Sequence, residues 1–225
     1  MRRVRFDPHV HTAASYDSSA PVRTVLAAAR EAGLDAVAVT DHDTVAGNRA
    51  ARDRRAGADP LVVPGVEVST ADGHLLALGV DAALAPDRPL ATTVAAVHER
   101  GGVAVVPHPF QRLRHGVRPG TLADCPVDAL ETYNACSLSN LRNRQADRYA
   151  RREGLPRVGG SDAHRPGTVG RAYTVVDVDG SLSVETLLNG LRAGRTHVHG
   201  RLLSLPRYVR KYATNACLAT EALRD

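Results

Sequence analysis

Tryptophan is absent, methionine occurs once, and phenylalanine and tyrosine together make up only 4% of the 225 residues. So few rings leave little material for the stacking platforms that hold single-stranded nucleic acid. Lysine is nearly missing too. Lys211 is the only one, and arginine supplies the rest of the 29 basic residues. We read this bias as the mark of a GC-rich genome rather than of nucleic-acid binding, although the net charge of +5 suits an anionic ligand, because the field of a cationic cleft concentrates anions. The three cysteines, Cys125, Cys136 and Cys217, are scattered and form no C-x-x-C, which excludes a disulfide framework and a cysteine-rich zinc site. No apolar run reaches the length of a membrane span. The basic start, Met1-Arg2-Arg3-Val4-Arg5, has no apolar segment behind it and does not read as a signal peptide. The expected location is the cytoplasm.

What is present is an alternation of two patterns. Short β-rich runs occur at Val4–Phe6, Ala36–Val39, Leu61–Val63, Gly65–Val68, Leu75–Val80, Val103–Val106, Ala129–Glu131, Arg157–Gly159 and Tyr173–Val176. Helical spacing fills several of the intervals: from Pro21 to a stop at Gly33, Leu90–Glu99 before Gly101-Gly102, Leu141–Arg152 before Gly154, and Val184–Arg192 before Gly194. Asp43 is expected to cap a helix beginning near Val45. Strand–helix alternation predicts an α/β fold with a mostly parallel sheet and crossover helices. Ala71-Asp72-Gly73 reads as a hairpin turn that interrupts the repeat. A distorted, TIM-like (β/α) barrel is the expected architecture, with an open doubly wound sheet as the alternative. One domain over residues 1–200 is predicted. Residues 201–225 mix Leu202, Leu203, Leu205, Tyr208 and Val209 with Arg201, Arg207, Arg210 and Lys211. Pro206 is placed to open a helix there, packed on the barrel or serving as a membrane-surface or partner-binding segment.

The chemistry-bearing residues follow the strands. After the first come Asp7, His9, His11 and Asp17; after the second, Asp41 and His42. Glu67 and His74 lie around the hairpin. His108 closes the strand at Val103, Glu131 the next, and Asp162 and His164 follow the strand at Arg157. His-x-His in extended backbone sends both rings to one side, where they can share a divalent ion. Each residue alone has an ordinary surface or capping reading. Their recurrence at the C-terminal ends of successive parallel strands, the face where barrels carry active sites, does not.

Taken in order, His9-Val10-His11, Thr40-Asp41-His42, Gly65-Val66-Glu67 with His74, Pro107-His108-Pro109 and Ser161-Asp162-Ala163-His164 resemble the successive motifs of the PHP (polymerase and histidinol phosphatase) superfamily. The resemblance covers about Phe6 to Gly200. It implies a distorted (β/α)7-type barrel holding two or three divalent ions that hydrolyse phosphate esters. By that likeness His9, His11, Glu67 and Asp162 hold one ion; Glu67 bridges to a second shared with His74 and His108; and Asp17, His42 and His164 hold a third. Asp17 stands in Ser15-Tyr16-Asp17-Ser18, where the family usually shows Ser-Asp-Gly. Glu131 is either a further ligand or a carboxylate at the core edge. Asp7 and Asp41, each beside ligand histidines, are expected to orient imidazoles through the second ring nitrogen.

A mixed imidazole and carboxylate set suits Mn2+, Zn2+ or Fe2+ better than Mg2+. Metal-bound water is then the nucleophile, attacking phosphorus in line, and no protein nucleophile is needed. Substrate phosphate calls for further cations. Arg112, Arg114 and His115 in the loop after His108 are the first candidates, followed by Asn134, Asn140, Arg142, Arg144 and Arg165; Arg142 and Arg144 equally suit a solvated helix. The expected substrate is a small phosphorylated molecule or nucleotide, such as a nucleoside 3′,5′-bisphosphate. A nuclease acting on short or 5′-ended strands is the second reading, and a non-catalytic metal-stabilised binding module the third.

Overall fold

The computed structural model describes residues 1–204. Along them run β1 (Arg2–Val10), α1 (Val22–Glu31), β2 (Ala36–Val39), α2 (Ala46–Arg54), β3 (Leu61–Val63), β4 (Gly65–Thr70), β5 (Gly73–Leu78), α3 (Leu90–Glu99), β6 (Val103–Val106), α4 (Pro119–Ala123), β7 (Ala129–Asn134), α5 (Asn140–Glu153), β8 (Arg157–Gly160), β9 (Ala172–Val178), α6 (Val184–Arg192) and β10 (Thr196–Gly200). The helix expected in the C-terminal extension lies outside the described residues.

In β2 and β6, built only of Val and Ala, every residue is buried, the mark of strands covered on both faces. Strand β2 pairs in parallel with β1 and β3, whereas β6 pairs in parallel with β7 and antiparallel with β5, which is wholly buried too. From Ala172 to Val178, β9 alternates buried with half-buried residues and pairs antiparallel with β1 and β10. The expected hairpin forms: β4 and β5 pair antiparallel, with Thr70 opposite Gly73. Gly73 has φ +132, and a Cβ there would strike the carbonyl oxygen of His115, so this close approach requires glycine.

The strands form two five-stranded sheets, ordered β10-β9-β1-β2-β3 and β4-β5-β6-β7-β8. A mostly parallel sheet is therefore corrected to an even mixture of parallel and antiparallel pairs. The hairpin reverses the chain once, and β9 returns against β1. Isolated parallel bridges, Val10 with Ala163 and His42 with Glu67, join one sheet to the other.

Three apolar layers result. Phe6, Ala38, Leu76, Val105, Val158 and Val176 pack between the sheets together with Leu187 and Leu191 of α6. Helices α1 and α2 cover one sheet from outside, and α3, α4 and α5 cover the other. Helix α6 lies at the end remote from the candidate site: Arg192 donates to the carbonyl of Gly102, just ahead of β6, at 3.0 Å.

Helix α4 and strand β10 were not anticipated, and α2 was expected only from its start near Val45. Helix α2 buries only Gly47, Asn48 and Ala51, so its apolar stripe is faint. It is anchored instead by Asn48 Nδ2, which donates to the carbonyls of Val39 (3.1 Å) and Val63 (2.7 Å). Edge strand β10 is half exposed and owes its form to backbone pairing with β9. Asp43 does not cap α2. The N-cap residue is Val45, and Asp43 Oδ1 accepts instead from the amide of Ser69 at 2.8 Å.

Candidate metal centre

Glu67 sits at the middle of the site, 1% exposed and reached by imidazoles from four segments. Its Oε2 lies 3.0 Å from His9 Nε2 and 3.1 Å from His11 Nε2, both brought by β1 and the residue after it. Its Oε1 lies 2.8 Å from His74 Nδ1 on β5 and 3.2 Å from His108 Nε2 after β6. His42 Nε2, carried past β2 by the bridge to Glu67, is 3.7 Å from Oε2. Asp162 Oδ1 stands 3.8 Å from His9 Nε2, 3.6 Å from His11 Nε2 and 3.3 Å from His164 Nδ1. Asp17 contacts His164 Nε2 and lies 3.6 Å from His42 Nε2. All nine residues expected as ligands thus meet in one cluster. His108 and Asp162 hold φ +30 and +51, a backbone strain of about 1–3 kcal/mol each that concentrates at functional sites.

The donor set fits metal ions. Five triads drawn from these nine residues, among them His9-His11-Glu67, His11-Asp17-His42 and His42-Glu67-His74, place their ligand atoms within 4.8 Å of one another. Among the described residues His42 Nδ1 and His108 Nδ1 are buried without a hydrogen-bond partner, a costly state for polar atoms. Electrostatics within the cluster conflict in the same way. Burial opposes charge on His9, but Glu67 and Glu131 raise it to about 10. Burial lowers His11, and burial with the Arg114 charge pushes His108 well below its usual range. Burial likewise opposes charge on Glu67, yet His42, His9 and His74 hold its carboxyl far below the ordinary value. Divalent ions among these atoms would relieve both the unpaired nitrogens and the crowding of imidazoles.

The surrounding residues redistribute several expected roles. Glu131 belongs to none of the close donor triads. Its Oε1 faces His9 Nδ1 at 3.1 Å, and its Oε2 accepts from the amide of His108 at 2.7 Å and from Asn134 Nδ2 at 2.8 Å. It therefore does the orienting expected of Asp7 and Asp41. Those two accept from elsewhere: Asp7 from the amides of Ser161 (3.0 Å) and Gly170 (2.9 Å), Asp41 from the amide and hydroxyl of Thr12. Each is committed to holding backbone, and burial raises Asp7 to about 6. Asn134 is also corrected. Both its donors go to Glu131 and Asp162, and its oxygen accepts from Arg114 and the amide of Cys136, leaving no capacity for phosphate.

Arg114 reaches the site by contacting Asp162 as well as Asn134. His115 stacks on His74, with ring centroids 5.1 Å apart. Arg112 opens the same short 3-10 turn, Arg112–Arg114; its side chain is outside the described set. Arg165 follows His164 at the same end of the strands, and its carbonyl accepts from Thr168. Arg142 is not brought in. It is exposed on α5 and donates to Gln145 of its own helix. Asn140 and Arg144 instead line a cleft of about 1130 Å³ on the flank between α5 and β10. That cleft contains none of the nine donors. His98 lies on α3 and pairs with Asp128 at 2.8 Å, away from the cluster. Ser15 was missed: its hydroxyl bonds Asp17 Oδ1 (2.7 Å) and receives the amide of His42 (3.3 Å). Its place two residues before Asp17 was the signal.

The PHP domain model matches residues 7–123, and a PHP-associated model matches residues 140–196. The chain belongs to the PHP domain family. The named relatives include hydrolases acting on phosphoric ester bonds. An uncharacterized protein of Methanocaldococcus jannaschii is 26% identical over 64% of this chain and 89% of its own. A phosphoribosyl 1,2-cyclic phosphate 1,2-diphosphodiesterase of Eggerthella lenta is 41% identical over 33% of this chain and 30% of its own length. The 5′-3′ exoribonuclease Rnm of Salmonella typhimurium is 38% identical over 36% and 29%, so the chain spans under a third of either named hydrolase. Among solved structures, PsfC of Pseudomonas syringae superposes with a TM-score of 0.72 at 22% identity over 98% of this chain and 99% of that one. A two-domain protein of Bacteroides vulgatus containing a predicted PHP-like metal-dependent phosphoesterase gives 0.71 at 20% over 95% and 70%. No helix among the described residues is long and apolar enough to cross a membrane.

Proposed function

We propose that this protein is a phosphatase that releases phosphate from a small phosphorylated molecule or a nucleotide, such as a nucleoside 3′,5′-bisphosphate, at a centre of two or three Mn2+, Zn2+ or Fe2+ ions. The observation that carries the reading is the division of Glu67, whose Oε2 faces His9 and His11 while its Oε1 faces His74 and His108. A carboxylate so placed could serve two ions. His9, His11 and Asp162 would complete one position, His74 and His108 the second, and Asp17, His42 and His164 would hold the third.

Such ions, when bound, acidify water toward neutral pH and polarise the phosphoryl oxygens. The chain's own side chains do the rest. Glu131 holds His9 by its second nitrogen, Ser15 holds Asp17, Arg114 supplies positive charge to the phosphate, and His115 offers it a hydrogen-bond donor. Arg112 and Arg165 are further candidates for the same work. The frame is a distorted (β/α)7 barrel in this reading. The bridges Val10–Ala163 and His42–Glu67 support it by linking β1, β2 and β4 through β8 into a ring of seven strands. Residues 1–200 constitute the metal domain and 201–225 an appended segment, and the protein acts in the cytoplasm.

A nuclease acting on short or 5′-ended strands is the second reading. The flank cleft favours it, because Arg144, Arg148, Arg151 and Arg157 line that cleft and would suit a phosphate backbone. The cleft runs beside α5 rather than over Glu67, which ranks this reading second. A phosphate-release screen of the Mn2+-loaded protein with nucleoside 3′,5′-bisphosphates, histidinol phosphate and short oligonucleotides separates the two. His11→Ala and Asp162→Ala are expected to abolish release while leaving a folded protein. Full activity in either variant would sink the assignment.

A further inference from the structure

Apart from Met1, the large apolar side chains exposed among the described residues are Tyr16, Leu113, Leu138 and Leu141. Tyr16 follows β1, Leu113 follows β6, and Leu138 and Leu141 follow β7. Those are the strand ends that deliver His11, His108 and Glu131, so the exposed apolar residues gather at the end of the molecule that carries the metal cluster. Single exposed apolar residues are ordinary on a protein surface, but a group confined to the rim of a polar site marks a ligand contact.

Tyr16 is the most constrained of the four. Its ring stacks on His42 with centroids 4.8 Å apart and planes 21° from parallel, and its neighbours Ser15 and Asp17 are hydrogen-bonded to each other. The ring is nevertheless 59% exposed. One face is covered by an expected metal ligand, which leaves the other as a flat apolar surface beside the position of the reacting phosphate. Leu113 is 98% exposed, although Arg114 beside it reaches Asp162. Its isobutyl group is therefore held at the mouth without packing on the protein.

We propose that Tyr16 is the stacking platform for a nucleobase attached to the scissile phosphate, with Leu113 contributing apolar cover to the same group. The inference rests on the phosphoesterase reading of the site and selects nucleotides over aliphatic phosphates as its substrates. A protein partner is disfavoured because the free face of Tyr16 is one residue from Asp17 and directly over His42. Its occupant is joined to the molecule whose phosphate lies among those ligands.

The test uses non-hydrolysable phosphonates of adenosine 5′-monophosphate and of ribose 5-phosphate, in which a methylene replaces the ester oxygen. Calorimetric titration into the Mn2+-loaded full chain is expected to show the adenosine compound binding about tenfold more tightly, as base–aromatic stacking provides. Tyr16→Ala should bring the two affinities together, Tyr16→Phe should keep the preference, and Leu113→Ser should reduce it. Equal affinities in the unmutated protein, a preference that survives Tyr16→Ala, or no binding of either phosphonate would each overturn the inference. Phosphate release from the matching esters, measured on the same preparations, decides the phosphoesterase reading separately. Turnover of both esters without a base preference would leave that reading standing and remove this one.

Discussion

Glu131 shows how much one contact decides. From its place at a strand end it suited either a metal ligand or a core-edge carboxylate. Its 3.1 Å approach to His9 Nδ1 makes it the group that fixes the ring's orientation and leaves Nε2 directed at Glu67. Such carboxylate–imidazole pairs tune metal affinity by roughly 10–100-fold. Glu131→Gln is therefore expected to stay folded and bind Mn2+ more weakly by about that factor, as read by metal titration; unchanged affinity would refute the orienting role. Gly160 argues the same point sterically. A Cβ there would collide with Glu131 Oε1 and His9 Cβ. Gly160→Ala should weaken metal binding and cost about 1–3 kcal/mol of stability, as overpacking does, in a urea titration of the metal-free protein.

Among the elements, those with strong periodic signals were legible to the residue. Helices α3 and α6 occupy the predicted Leu90–Glu99 and Val184–Arg192, because Pro or Ser opens each and glycine stands just beyond each end. In α6 the start is a reciprocal pair: Ser183 Oγ receives the amide of Thr186, whose hydroxyl receives the amide of Ser183. Ser183→Ala should cost about 1 kcal/mol, and Leu187→Ala, wholly buried in the inter-sheet core, about 2–5 kcal/mol. Both would be measured by urea unfolding, and a Leu187→Ala effect no larger than that of Ser183→Ala would contradict the central place given to α6. The extent of α2 and the strand β10 went unread, since they are held by Asn48 hydrogen bonds and by backbone pairing, neither of which leaves an apolar rhythm in the chain. Asp43 shows the local rule overruled: the helix took Val45 as its cap because the bridge His42–Glu67 draws Asp43 toward the Ser69 amide.

For the molecule as a whole, the cluster gathers His, Asp and Glu side chains from both sheets into a buried volume. Without cations, the conflicting charges and unpaired nitrogens are a burden on folding. Ions that bind only the folded chain add RT ln(1 + [L]/Kd), about 2.7 kcal/mol at a hundredfold excess over Kd. Chelation is therefore expected to lower the melting temperature as well as abolish phosphate release. Mn2+ should restore both, as followed by scanning calorimetry and a release assay. A melting temperature indifferent to chelator would show that the cluster is not a metal centre.

The sequence by itself determined the inventory of the site. The nine donors are recognisable because imidazoles and carboxylates recur after β-rich runs, and parallel strands deliver their C-terminal ends to one face. It also settled most element boundaries, where capping and periodicity act within a few residues. Tertiary structure alone decided the division of labour among the carboxylates. Whether Asp7, Asp41 or Glu131 faces an imidazole depends on distances between β1, β7 and β8, set by packing across more than a hundred residues of chain. The equal mixture of parallel and antiparallel pairing and the placing of Tyr16 over His42 are decisions of the same kind. They arise from contacts between segments whose local patterns carry no information about one another.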